Sequence, residues 1–208
     1  MQNALYFLPG ILIGLTIHEC CHALASWKLG DSTARDQGRI TLNPIKHIDP
    51  LGFLFLIFAG FGWAKPVQFN PHNLRYPRRD KALIAIAGPL SNLILGIIFV
   101  FIMAALLRVF YFADHRHLFS VIYMAAAINF GLFIFNLLPI PPLDGSHILF
   151  SGLNLSMEIQ SRIMRIGAPL LFAILIIQRT TNIRILPIGE IVRAIIFFFW
   201  RIFSNFLG

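Results

Sequence analysis

Residues 82–107 carry no charged side chain, and a run of that length has few places to go except across a bilayer, where about 20 apolar residues suffice. In hydrocarbon the backbone must pair within its own segment, so such a run becomes a helix. Residues 4–27, apart from one cluster of ionisable groups, and 118–138 are also long apolar runs, and 163–177 is a shorter span whose Arg162 and Arg165, at its start, can snorkel to the surface. With 57% hydrophobic and only 12% charged residues, the chain departs far from a soluble balance. The expectation is an all-α polytopic membrane protein of four to six membrane segments, forming one domain over residues 1–208 in contact with the lipid bilayer.

The net charge of +8 does not point to nucleic acid, because the basic residues sit in short clusters between apolar runs. Lys28, Arg35, Arg39 and Lys46 follow the first run, and Lys65, Arg75, Arg78, Arg79 and Lys81 follow the second. The positive-inside bias assigns both loops to the cytoplasm, in a multi-pass protein of a prokaryotic-type cell membrane, with the N-terminus outside. No Lys or Arg precedes Lys28, so residues 4–26 lack the positive region of a signal peptide and read as a retained helix.

Between the two basic loops, residues 51–64 are apolar but too short, and too interrupted by Gly52, Gly60 and Gly62, for an ordinary crossing. With like loops on both flanks, a re-entrant segment is expected. Irregular backbone survives at that depth only when buried in protein or lining a wet cavity, which makes this segment a candidate wall of a site. Residues 38–44 alternate as a strand does and end in a turn signal, so a short β-hairpin before the re-entrant segment is expected. At residues 185–206, Glu190, Arg193 and Arg201 interrupt the apolar pattern, leaving open an interfacial amphipathic helix or a final crossing.

Chemistry enters at Ile17-His18-Glu19-Cys20-Cys21-His22-Ala23. Ionisable groups within an apolar span are costly and mark sites. On a helix His18 and His22 project from one face about a turn apart, with Glu19 about 100° away, the HExxH arrangement of a zinc hydrolase. Two histidines satisfied by neighbouring helices would leave the glutamate unexplained. Cys20 and Cys21, the only cysteines, are adjacent and offer no disulfide framework.

A hydrolytic zinc needs a third protein ligand and an open position. Asp144 is the candidate. It stands in the Pro-rich break Pro139-Ile140-Pro141-Pro142-Leu143-Asp144-Gly145 directly after a span, whereas the other aspartates fall in loops expected to be solvated. Gly145 is expected to supply a positive φ at the bend. The alternative for Asp144 is to cap a helix starting near Ser146.

His18-Glu19-Cys20-Cys21-His22 in an early span, Gly88-Pro89-Leu90-Ser91-Asn92 in a middle one, and Asn136-Leu137-Leu138-Pro139 leading to Leu143-Asp144-Gly145 together resemble the site-2 protease family of intramembrane zinc metalloproteases. The resemblance covers nearly the whole chain and is to the minimal branch without PDZ or CBS domains. It implies one Zn2+ held by His18, His22 and Asp144, Glu19 as the acid–base group, and an active site open to the cytoplasm. It also implies a membrane-protein substrate cut within or near a transmembrane segment. Asn136 is implied as a catalytic donor to the oxyanion or substrate backbone, with a helix-to-helix hydrogen bond as its alternative. Asn92, Gly60 and Gly62 are candidate substrate contacts, the glycines as part of an edge for strand addition. His147 is a candidate alternate ligand or supporting group, and His47 and Asp49 read as loop structure. The rival function is an inactive zinc-binding membrane protein or a metal transporter.

Overall fold

The structure, a computed structural model, describes residues 4–59, 62–153, 155–181 and 185–207. It is helical, with α1 (Ala4–Lys28), the single turn α2 (Thr33–Asp36), α3 (Pro50–Ala59), α4 (Pro77–Val109), α5 (Arg116–Asn136), α6 (Asp144–Leu153), α7 (Met157–Thr180) and α8 (Ile188–Phe206). Four helices among the described residues are long and apolar enough to cross a membrane: Tyr6–Lys28, Pro77–Val109, Arg116–Asn136 and Glu158–Gln178. The chain is an all-α integral membrane protein.

Helices α1, α4 and α5 form the packed centre. A polar seam runs through it. Asn129 of α5 reaches Asn92 of α4, which donates to the Gly14 carbonyl of α1 at 3.1 Å. These amides would be expensive in hydrocarbon without partners, so the seam fixes the register of three spans. Their outer faces, such as Leu83, Ile86, Leu90 and Ile94 on α4, are exposed as lipid contact demands.

Helix α3 shows how the re-entrant segment works. It is ten residues long, too short to cross, and the backbone beyond it returns past its start: Ile48 bridges Ala64, and the Lys65 N–H donates to the His47 carbonyl at 2.8 Å. A Cβ on Gly52 would collide with the Trp63 carbonyl, and one on Gly62 with the Gly52 carbonyl. The two glycines therefore let the descending and returning backbones touch. Asp49 accepts from the Gly52 N–H at 2.8 Å and His47 is buried with Nε2 on the Thr41 carbonyl, so both are loop structure.

Two expectations change. The hairpin over 38–44 is not formed: that isolated bridge aside, no strand occurs among the described residues. Arg39 turns inward and Asn43 caps a 3-10 turn at Pro44–Lys46, so alternation here reflects a folded loop and not a ladder. Gly145 does not have a positive φ; it lies in the first turn of α6, where a Cβ would meet the Leu137 and Leu138 carbonyls. Close approach selects glycine there. Helix α8 lies lengthwise on α4 and α5, with Val192 and Ile196 in a cluster with Val100, Ala126 and Phe130 and with Arg108 donating to the Ser204 carbonyl. The Glu190–Arg193 pair lies near its start, and α8 is not one of the four helices long and apolar enough to cross.

Candidate metal centre

His18 and His22 come together on α1 as the four-residue spacing requires, their rings edge-on with centroids 4.5 Å apart. Their tautomers follow from their outer partners. His18 Nδ1 lies 2.6 Å from Asn92 Oδ1, and His22 Nδ1 lies 2.7 Å from the Ile84 carbonyl. The Asn92 amide is oriented by the Gly14 carbonyl, so Oδ1 must face His18. Both outer partners only accept, so each neutral ring carries its proton on Nδ1 and points a bare Nε2 inward.

The two Nε2 atoms are 2.9 Å apart, and Asp144 Oδ2 lies 3.2 Å from one and 3.3 Å from the other. Oδ2 is buried and receives no hydrogen bond. Three lone-pair donors thus converge with no proton to share, an arrangement that repels itself unless a cation sits among them. Zinc bonds of about 2.0–2.2 Å at tetrahedral angles place ligand atoms about 3.3 Å apart. The separations here agree within a few tenths of an ångström, and the two-imidazole, one-carboxylate set is suited to zinc. Gly88 makes the approach of α4 possible, because a Cβ there would collide with His22 Nε2 and lie 2.7 Å from His18 Cε1.

Glu19 is buried beside this cluster. Its Oε2 accepts from the Val67 N–H at 3.1 Å and lies 3.8 Å from Arg39 Nη2. Arg39 is itself buried and donates to the Lys65 carbonyl. A cavity of about 400 Å³ opens in front of His18, Glu19, His22 and Asp144, with Gly62 and Asn136 in its wall. Asn136 donates one amide hydrogen to the Leu132 carbonyl at 3.0 Å, which leaves its second for the cavity. Asn92, anticipated at the substrate, is fully buried and bonded to His18, Gly14 and Asn129, so it holds a histidine ring instead. Gly60 lies outside the described residues. His147 lines the cavity but is not in the three-donor cluster. Cys20 and Cys21 are free thiols.

Sequence reasoning passed over Arg39 and Val67, since nothing in a basic loop signals that one guanidinium turns inward. It also took Asp31 and Asp80 for solvated residues, and both are fully buried. Asp80 caps its own helix from the Tyr76 N–H and pairs with Arg79. Asp31 accepts from Ser26, from the Thr33 N–H and hydroxyl, from the Asn70 N–H and from Asn73. Burial pushes its carboxyl up, but these hydrogen bonds outweigh that and hold it down at about 2. Asp31 thereby ties residues 70–73, just beyond Val67, to the end of α1.

Residues 110–177 match the pattern of Peptidase family M50. YwhC of Bacillus subtilis (strain 168), provisionally named a zinc metalloprotease, is 42% identical over 157 residues, covering 69% of this chain and 67% of that protein. The chain belongs to peptidase family M50. This is the site-2 protease family whose motifs the sequence resembles. Rip2 of Mycolicibacterium smegmatis, also provisionally named a zinc metalloprotease, is 34% identical over 153 residues, 71% of this M50 chain and 57% of Rip2. MJ0611 of Methanocaldococcus jannaschii, named in the same way, is 28% identical over 139 residues, 65% and 64% of the two chains. The chain thus spans between about half and two-thirds of the length of its curated relatives. No solved structure matches it.

Proposed function

We propose that the chain is an intramembrane zinc endopeptidase that hydrolyses a peptide bond within or near a transmembrane segment of another protein, from an active site facing the cytoplasm. The observation that carries this reading is the set of three bare donors, His18 Nε2, His22 Nε2 and Asp144 Oδ2, beside a buried glutamate. A zinc ion held by those atoms would supply Lewis acidity, drawing the pKa of a bound water towards about 7.

The protein's own groups divide the remaining work. Asn92 and the Ile84 carbonyl hold the imidazoles in the tautomer that ligates. Glu19, one oxygen fixed by Val67, accepts the proton of the attacking water at the other and passes it to the leaving amine. Asn136 donates its free amide hydrogen to the carbonyl oxygen as charge develops there. A substrate helix hides its carbonyls, so it must be unwound locally, and the non-helical backbone of residues 63–69 in the cavity wall offers an edge for the unwound strand. Basic loops on the side of Glu19 and Asp144 support the cytoplasmic orientation.

The test is Glu19→Gln in purified protein, with bound zinc measured beside cleavage of a membrane-anchored reporter. One zinc per chain with cleavage abolished is the expected result. Undiminished cleavage would sink the mechanism, and loss of zinc would assign Glu19 to the metal instead.

A further inference from the structure

The catalytic cavity shares a wall with a second cavity of about 460 Å³, and the shared residues are Phe69, Lys81 and His147. The second cavity lies between the first turns of α4, the end of α6 and the start of α7, where Arg78, Phe150 and Met164 complete the part that matters. Its lining contains Arg78, Lys81 and His147 and no carboxylate. The nearby acids are already engaged: Asp80 is buried on Tyr76 and Arg79, and the exposed Glu158 pairs with Arg162. Arg78 is anchored through Nε to the Ser151 carbonyl at 2.8 Å.

Lys81 is different. It is half-buried against this wall and, among the described residues, has neither an ion pair nor a hydrogen bond. A partly desolvated ammonium without a counter-charge is costly, and the cost is recovered when an anion arrives. The carboxylates lining the adjoining cavity are both engaged: Glu19 accepts from the Val67 N–H and lies beside Arg39, and Asp144 places Oδ2 between the imidazoles. The missing counter-charge must therefore come from outside the chain.

We propose that the second cavity receives the substrate polypeptide on the solvent side of the scissile bond, and that Lys81 selects an Asp or Glu side chain there. This rests on the endopeptidase reading. The occupant is peptide because the two cavities share a wall: a chain lying across His18 and Asp144 continues past Phe69 and Lys81 into the second space. Because the two cavities share a wall, the acid falls on the residues that directly follow the cut on that side. Lys81 is a specificity-determining residue in this scheme and takes no part in the chemistry.

Binding tests it without turnover. The zinc-loaded Glu19→Gln protein in uncharged detergent is titrated with fluorescent membrane-anchored peptides that carry Glu, Gln or Lys at each of the first positions on the solvent side. At one or two positions the Glu peptide is expected to bind about tenfold tighter than its Gln twin, one charge-assisted contact's worth of affinity. Lys81→Gln should erase that preference, Lys81→Glu should transfer it to the Lys peptide, and Lys81→Arg should keep it. Equal affinity for the Glu and Gln peptides at every position, or a preference unchanged in Lys81→Glu, overturns the proposal. So does a Lys81→Glu effect seen only on binding to phosphatidylglycerol vesicles, which assigns the lysine to lipid. Cleavage of the Gln peptides by the unsubstituted protein is scored separately. Selective binding without cleavage leaves this inference standing and removes the endopeptidase reading; cleavage without selectivity does the reverse.

Discussion

Asp31 and Asp144 both sit where an apolar helix gives way to a break, and both bury carboxylate oxygens, yet they are completed in opposite ways. Asp31 is surrounded by donors and receives five hydrogen bonds from its own chain. Asp144 points a buried Oδ2 at two imidazole nitrogens that have no proton to give. A carboxylate supplied with donors is a structural knot, and one surrounded by other acceptors is an invitation to a cation. Burial alone does not separate the two. The sign of the neighbours does.

Exchanging either acid for its amide should break the comparison cleanly. Asp144→Asn is expected to lose nearly all bound zinc and more than about a thousandfold in cleavage, since a neutral amide is a poor ligand. Thermal stability of the metal-free protein should change little. Asp31→Asn is expected to keep one zinc per chain while lowering the melting temperature. An Asp31→Asn protein without zinc, or an Asp144→Asn protein with it, would erase the distinction.

Smaller effects sharpen it. Asn92→Ala leaves the ligand set intact but frees the His18 ring, and zinc affinity should fall about 10- to 100-fold in a chelator competition. Arg39→Ala removes the cation beside Glu19 and the donor to the Lys65 carbonyl, and kcat is expected to fall about tenfold with zinc retained. An unchanged kcat would reduce Arg39 to a packing role. The least effect concerns pH. The folded carboxyl of Asp31 stands at about 2, below its ordinary value of 3.8. The stability this confers is therefore fully present above about pH 4 and is lost as pH falls through about 2. The melting-temperature gap between the unsubstituted protein and Asp31→Asn should close over that window, and a gap that persisted at pH 2 would contradict the assignment.

The helices and the meeting of His18, His22 and Asp144 were legible because both rest on local pattern. Apolar length marks α1, α4 and α5, helical spacing brings His18 to His22, and a proline-rich break after a span singles out Asp144. What escaped the sequence depends on how distant loops fold. Asp31 looks like any loop acid until residues 70–73 return over it, and Arg39 looks like any basic-loop residue until Lys65 and Glu19 take it inward. Asn92 was legible as a polar residue in a span, but its partner was not, because its bond to His18 depends on Gly88 allowing α4 to close on α1. The hairpin expected at 38–44 failed for the same reason: alternation was read as a ladder where side chains instead anchor a loop.

The pinched stem of the re-entrant segment has a consequence for sequence drift. With Ile48 bridged to Ala64 and Lys65 bonded to His47, the loop ends are held together independently of the path between them. Loop-closure entropy rises only slowly with length. The stretch between residues 49 and 64 can thus change in length with little change in the entropy of closing it, provided the Gly52–Gly62 contact at its stem is kept.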